Sequence, residues 1–270
     1  MIKRLFKLKW LVLAGLALIG IAVTIRLGIW QLDRLEQRRA FNARVNAQIS
    51  QPALDLGKEA LHADLSEMEY REVVVSGVYD HSQEIALRNQ HWQNQWGVHL
   101  VTPLLIEGSE MAVLVDRGWI PAEEFSTGNW SRFNEPGEVE VKGVIRASKN
   151  QADFGSRSDP VSLGNEARIK AWNFVNIESI SEQTSLKLLP VYIQQAPNNT
   201  HKTMPYRTQP ELDLTEGPHQ SYAIQWFSFA VIIALGIPTL VYTREFKRES
   251  GSNTRQINKT ETRGDQSIPG

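Results

Sequence analysis

Two stretches of the chain are continuously apolar, and most of the remainder alternates. Trp10 to Ile25 runs without a charge and resumes after Arg26 as Leu27, Gly28, Ile29 and Trp30. This gives about 20 residues, or about 30 Å of helix, which matches the hydrocarbon core of a bilayer. Tyr222 to Tyr242 is a second uncharged run of similar reach. The pattern predicts membrane-spanning helices over 10–30 and 219–242. Gln31 to Ile49 interleaves Leu32, Leu35 and Val45 with charge and contains no Gly or Pro, so the first helix is expected to continue until Gln51-Pro52 stops it. Leu54 to Leu65 reads as a short helix.

From Tyr70 the period falls to two. Glu72 to Tyr79, Glu84 to Arg88, Val98 to Ile106, Ala112 to Arg117, Glu138 to Ala147, Ala171 to Ile177 and Pro190 to Gln195 are short and rich in Val, Ile and aromatics. Gly, Asn, Asp or Pro separates most of them, which is the signature of strands. About seven strands in roughly 130 residues favour an antiparallel barrel or sandwich. Ile177 to Leu188 predicts a helix with Ser179 or Ser181 near its start. Gln151 to Glu166 and Pro197 to Pro218 read as loops, the second leading back to the membrane, and the polar residues after Tyr242 as disordered. The fold class is therefore an α+β membrane protein. Two transmembrane helices flank a β-rich extracytoplasmic domain over 31–218, with a basic segment over 1–9 and a tail over 243–270.

Charge sets the expected orientation. Lys3, Arg4, Lys7 and Lys9 precede the first span, and Arg244, Lys247 and Arg248 follow the second, so both termini belong in the cytoplasm. Trp10 and Tyr242 suit the inner interface, Trp30 and Trp226 the outer one. The first run is long for a signal-peptide core, and Ala22 to Arg26 is a poor cleavage site, so an uncleaved anchor is expected. The absence of a long Ser/Arg-rich leader argues against a mitochondrial presequence and for a bacterial inner-membrane protein. Net charge is -1, which offers no basic face for nucleic acid. There is no cysteine, which removes disulfides, cysteine zinc sites and thiol nucleophiles.

Candidate chemistry is sparse. No phosphate loop, nucleophile elbow or paired zinc-type histidines occur, so an enzyme is not expected. His91 and His99 read as exposed polar side chains on a loop and a strand start. Asp116-Arg117 reads as structural, with Arg117 paired to a carboxylate other than Asp116, because neighbours on a strand point to opposite faces. Arg117 and Trp119 are expected at an edge of the outer domain where the strand turns, with Gly118 holding the turn and Pro121 ending it. His219 follows Pro218, a residue favoured at the first helical position, and so opens the second span at the outer boundary. Tyr222 and Trp226 follow at i+3 and i+7 on one stripe, flanked by Gln225. A histidine beside flat aromatics at that depth is a candidate axial ligand for haem or an interfacial anchor. Ala230 and Ala234 have small-xxx-small spacing, which permits close approach of another helix.

Four motifs, in order, are similar to those of the surfeit locus protein 1 family. Gly28-Ile29-Trp30-Gln31-Leu32-Asp33-Arg34 resembles its first-span exit, and Gly97 to Leu104 its first internal motif. Val113 to Pro121, with Arg117-Gly118-Trp119-Ile120-Pro121 at its end, resembles its valine-rich strand element, and His219 to Phe227 its entry to the second span. The resemblance implies an assembly factor for haem–copper cytochrome c oxidase that acts on the haem a sites of subunit I, alongside the machinery that makes haem a. It also implies that His219 contacts haem a. The alternatives left by the residues alone are a membrane-anchored periplasmic ligand-binding or scaffold module without haem, and a membrane-tethered hydrolase.

Overall fold

The computed structural model describes residues 8–57, 63–149, 168–198, 202–207 and 212–244. In chain order the elements are helix α1 (Leu8–Ile49), strands β1 (Leu54–Asp55), β2 (Glu72–Tyr79), β3 (Ile85–Trp92), β4 (Gln95–Ile106) and β5 (Met111–Pro121), and helix α2 (Ala122–Ser126). Strands β6 (Glu138–Ala147) and β7 (Ala171–Trp172), helix α3 (Ile177–Ser181), strand β8 (Lys187–Gln195) and helix α4 (His219–Tyr242) follow. The chain forms two compact units, one from residues 1–42 and 214–270, the other from Ala43–Asp213. Lys3, Arg4, Lys7, Lys247, Arg248, the predicted loop Gln151 to Glu166 and the tail from 245 lie outside the described residues.

The first unit is a helix pair. Both α1 and α4 are long and apolar enough to cross a membrane. The 42 residues of α1 reach about 63 Å, roughly twice a bilayer core, so its polar second half continues past any single span. Along α4 the less exposed positions include His219, Ala223, Trp226, Ala230, Ile233 and Ile237, and along α1 they include Ala17, Gly20, Thr24, Gly28, Gln31 and Leu35. Spacings of three and four make a continuous seam on each helix. Small residues let the backbones approach. A Cβ on Gly28 would stand 2.7 Å from the Phe227 ring, and one on Gly20 3.5 Å from Ile233. Ala230 is buried in the seam but Ala234 is exposed, so the close approach uses Ala223 and Ala230 rather than the predicted Ala230–Ala234 pair. Pro218 caps α4 instead of forming its first residue.

The second unit is a β-barrel with additions. The strands run in the order β1-β2-β6-β8-β5-β4-β3-β7, and a further β2–β4 pairing closes five of them, β2, β6, β8, β5 and β4, into a barrel. Its pairings are antiparallel except β5–β8, which is parallel, so the purely antiparallel expectation is corrected at one seam. This order is that of five-stranded OB-type barrels. Val73, Val75, Leu104, Ile106, Val113, Val115, Val141, Ile145, Val191 and Ile193 fill the interior. Each such side chain contributes about 1.5–3 kcal/mol on burial. A second apolar layer, with Ile85, Val101, Leu114, Trp172, Ile177 and Ile180, packs on the outside of β4 and β5. Those two strands are therefore buried on both faces, which removes their alternation.

Several local expectations fail for identifiable reasons. The helix expected over Leu54 to Leu65 does not start over residues 54–57, those described at its beginning. Leu54 and Asp55 pair with β2, and after the undescribed residues 58–62 a 3-10 turn follows at Leu65–Glu67, capped by Asp64. The strand from Ala171 stops at Trp172, and Asn176 caps a five-residue helix, supplanting Ser179 and Ser181 as its start. That helix ends at Ser181 because Lys187 to Leu189 are drawn into β8. Arg117 and Trp119 lie past the last β5–β8 pair, Asp116 with Gln194, but both are buried, with β4 on one side and the Trp119–Tyr206 bridge on the other.

Candidate functional site

Gly217 takes a positive φ of 68°, open to glycine without strain, and turns the chain into Pro218 and α4. The approach to this turn is fastened along α1. Arg39 makes a bidentate pair with Glu216 at 2.8 and 2.9 Å, Arg38 Nε donates to the Thr215 carbonyl at 2.9 Å, and Asn42 Nδ2 donates to the Leu214 carbonyl at 2.6 Å. The hydrogen bond from Arg39 holds the Glu216 carboxyl below its ordinary value. The ion pair is open to solvent, so its effect is to set direction more than to add stability.

His219 is thereby brought to Gln31. Its Nδ1 lies 2.8 Å from Gln31 Oε1, and Gln31 is only 9% exposed. With Nδ1–H donating to the amide oxygen, the lone pair of the neutral ring stands at Nε2. A Cβ on Gly217 would lie 3.7 Å from that nitrogen, so glycine there also keeps its surroundings open. Trp226, half-buried, meets Phe229 edge to face at 5.8 Å, whereas Tyr222 is 47% exposed and Gln225 is exposed. Gly28 and Gln31 belong to the seam. Trp30 and Arg34 form an exposed cation–π pair at 5.7 Å beside it.

The barrel unit holds a second constellation. Opposite Leu100 and Val101 the register of β5 slips, so that Leu100 faces Gly118 and Val101 faces Asp116, leaving Arg117 as the extra residue of a bulge. The bulge aims Asp116 and Arg117 at different partners. Arg117, 0% exposed, pairs with Glu84 at 2.7 Å and Glu135 at 3.1 Å, donates to the Phe133 carbonyl, and lies over the Tyr79 ring at 5.0 Å. The expected carboxylate partner of Arg117 is thus found, and it is not Asp116. Thr102 also donates to Glu84, and Arg207 reaches Glu135 at 3.0 Å. Gly118, at φ 127°, lies so close to Tyr206 that a Cβ would meet its carbonyl oxygen at 2.5 Å, and Trp119 forms an antiparallel bridge with Tyr206. A Cβ on Gly97 would meet the Ile120 carbonyl at 2.1 Å. Pro121 ends β5 and caps α2.

Asp116 instead binds His99, its carboxylate oxygens 2.8 and 2.9 Å from Nδ1, and accepts from the Gly118 N–H at 3.1 Å. His99 is 8% exposed, which overturns its reading as a surface side chain. Burial alone would lower its pKa, but the charge and hydrogen bond of Asp116 outweigh burial and hold the imidazolium above its ordinary value. His91 lies on β3 and not in a loop. It is exposed, with its ring 5.2 Å from Trp96, next to the two-residue turn Gln93-Asn94 whose positive φ angles mark a type I′ hairpin. Among the described residues no group of three or more metal-binding side chains occurs. Sequence reasoning missed the His99–Asp116 pair, Glu84 and Glu135. The one signal available was His99 embedded in the apolar run Val98-His99-Leu100-Val101, where an unpaired polar ring would be costly.

A family model described as the SURF1 family matches residues 18–231. The chain belongs to the SURF1 family. It is 25% identical over 235 residues to Surfeit locus protein 1 of Xenopus tropicalis, covering 82% of this chain and 71% of the relative. It is 21% identical over 253 residues to a SURF1-like protein of Caenorhabditis briggsae, with 86% and 76% covered. Surfeit locus protein 1 of Rattus norvegicus is 22% identical over 220 residues, with 76% and 68% covered. The SURF1-family match spans the His219–Gln31 contact and the whole barrel, so both constellations lie within the matched region.

Proposed function

We infer that this SURF1-family chain is a non-enzymatic assembly factor for haem–copper cytochrome c oxidase, held by two spans in a bacterial inner membrane with its barrel in the periplasm. Its partners are subunit I, the machinery that makes haem a, and the bilayer. The observation that carries the reading is the hydrogen bond of His219 Nδ1 to Gln31. Histidine ligands to metals generally donate their second ring N–H to an oxygen, which fixes tautomer and ring orientation. The donor set therefore fits a haem ligand: His219 would hold the iron through Nε2, which keeps its lone pair, Gln31 orients the ring, and glycine at 217 keeps the space beside Nε2 open. Haem a, when bound, supplies the iron and macrocycle that subunit I requires. Tyr222, Gln225 and Trp226 stand on the same first turns and would flank an apolar ring, while the interface beyond His219 gives its propionates access to water.

The two spans are supported by what the helices leave uncovered. Leu16, Leu18, Ile19 and Val23 on α1 and Ile224, Val231, Ile232 and Leu235 on α4 are all exposed, at a cost in water of about 1.5–3 kcal/mol each. A lipid environment removes that cost. The functional test is capture of a tagged chain from membranes of a haem a-producing host during oxidase biogenesis. Subunit I should co-purify with it, and capture without subunit I would refute the assembly role. Alkaline phosphatase fused after Gly128 should be active and a fusion at the C-terminus inactive; the reverse result would refute the orientation.

A further inference from the structure

The His99–Asp116 pair has no part in the haem reading, yet it forms the floor of a cavity of about 480 Å³ in the barrel unit. Pockets for small molecules generally fall between about 300 and 1,000 Å³ and combine apolar walls with a few placed polar groups. Here Trp92, Leu87 and Tyr192 supply apolar wall, and Arg146 stands in the same lining. Two cationic donors, His99 and Arg146, share this lining with Asp116 and the amides Gln90 and Gln194. His99 Nδ1 is taken by Asp116, and its Nε2 has no hydrogen-bond partner among the described residues. Arg146 lies over the Tyr70 ring at 4.5 Å, has Glu69 at 3.7 Å and donates to the Tyr192 hydroxyl, leaving the rest of its fork for a ligand. Tyr192, its pKa pushed up to about 12 by burial and then by Asp116, keeps its proton.

We propose that this cavity binds a small organic carboxylate with a flat apolar body, the carboxylate held by His99 Nε2 and Arg146 and the body laid against Trp92 and Leu87. Asp116 is already engaged by His99, which leaves His99 Nε2 and Arg146 as the cationic groups of the lining, and a carboxylate is planar enough to take both the Arg fork and the imidazole N–H. Asp116 acts behind His99: it keeps Nδ1 engaged and turns Nε2 to the cavity, so it positions without touching the ligand.

The probe is 2-naphthoate, titrated calorimetrically into the full chain in lipid nanodiscs, with empty nanodiscs as the partition control and 2-naphthamide as the neutral analogue. Saturable one-site binding of the acid is expected, with the amide about tenfold weaker or worse, since a hydrogen bond to a charged group is worth roughly that much. His99→Asn keeps a donor to Asp116 but removes Nε2, and Arg146→Gln removes the fork; each should weaken naphthoate by about tenfold. Absence of saturable binding to the wild type, equal affinity for acid and amide, or unchanged affinity in Arg146→Gln would each overturn the proposal. Arg146 lies at the cavity wall and not in the core, so its variant decides the matter even if His99→Asn melts early.

Discussion

Two histidines in this protein are held the same way by different oxygens. His99 in the barrel gives its Nδ1 to the carboxylate of Asp116, and His219 in the helix pair gives its Nδ1 to the amide of Gln31. The carboxylate adds a charge, and the imidazolium of His99 is favoured in spite of burial. The amide fixes a ring and its tautomer but adds no charge. The surroundings match the difference. The barrel pairs its buried charges, Arg117 with Glu84 and Glu135 and His99 with Asp116, whereas the helix pair packs its seam through small residues. A carboxylate behind a histidine suits the binding of an anion; an amide behind one leaves a neutral nitrogen to a metal.

The contrast is broken most severely at Arg117. Arg117→Met leaves Glu84 and Glu135 facing an empty position in the interior, and the barrel should lose about 3–5 kcal/mol in chemical denaturation. A loss under about 1 kcal/mol would mean that the network is not what holds the barrel's polar interior. Gly118→Ala is next. The added methyl meets the Tyr206 carbonyl from a backbone conformation that alanine rarely adopts, and the expected loss is about 2–3 kcal/mol with the Trp119–Tyr206 bridge broken. Unchanged melting would show that the bridge opens freely.

The histidines are separated by pH. The folded-state pKa of His99 is raised above its unfolded value of about 6.5, so the pair with Asp116 contributes fully below about pH 6.5 and its contribution is lost as pH rises through the folded value. Denaturation of the wild type at about pH 6 and about pH 9 should show a falling stability that His99→Asn does not share. Tyr192 is silent over that range, because it titrates near 12. Identical pH profiles for the two proteins would remove the charged pair from the account.

The two regions also differ in how far they could be read from sequence. The helix pair was legible because each helix holds a long uncharged apolar run; its packing was not, because Ala230 is joined in the seam by Ala223 and not by the expected Ala234. The barrel was legible where one face is wet. Glu72–Tyr79 and Glu138–Ala147 alternate, and their predicted limits match the structure. It was illegible where both faces are covered, as in β4 and β5, and where partners lie far apart in sequence. Leu54 and Asp55 are strand only because β2 offers them an edge, and Arg117 finds Glu84 and Glu135 only once the barrel has closed. His219 was picked out by its position after Pro218, but Gln31, 188 positions away in sequence, is visible as its partner only in the folded chain.

The smallest expected change in stability carries the central claim. His219 is half-buried at a helix start with one hydrogen bond to a neutral amide, so His219→Ala should alter stability by no more than about 0.5 kcal/mol. The deciding measurement is the absorbance spectrum of the wild type and His219→Ala, purified in equal yield from a host that makes haem a. The haem bands should be present in the wild type and fall sharply in the variant, at equal protein concentration and unchanged melting. Haem bands of equal strength in both proteins would contradict the assignment and leave His219 as an interfacial anchor of the second span.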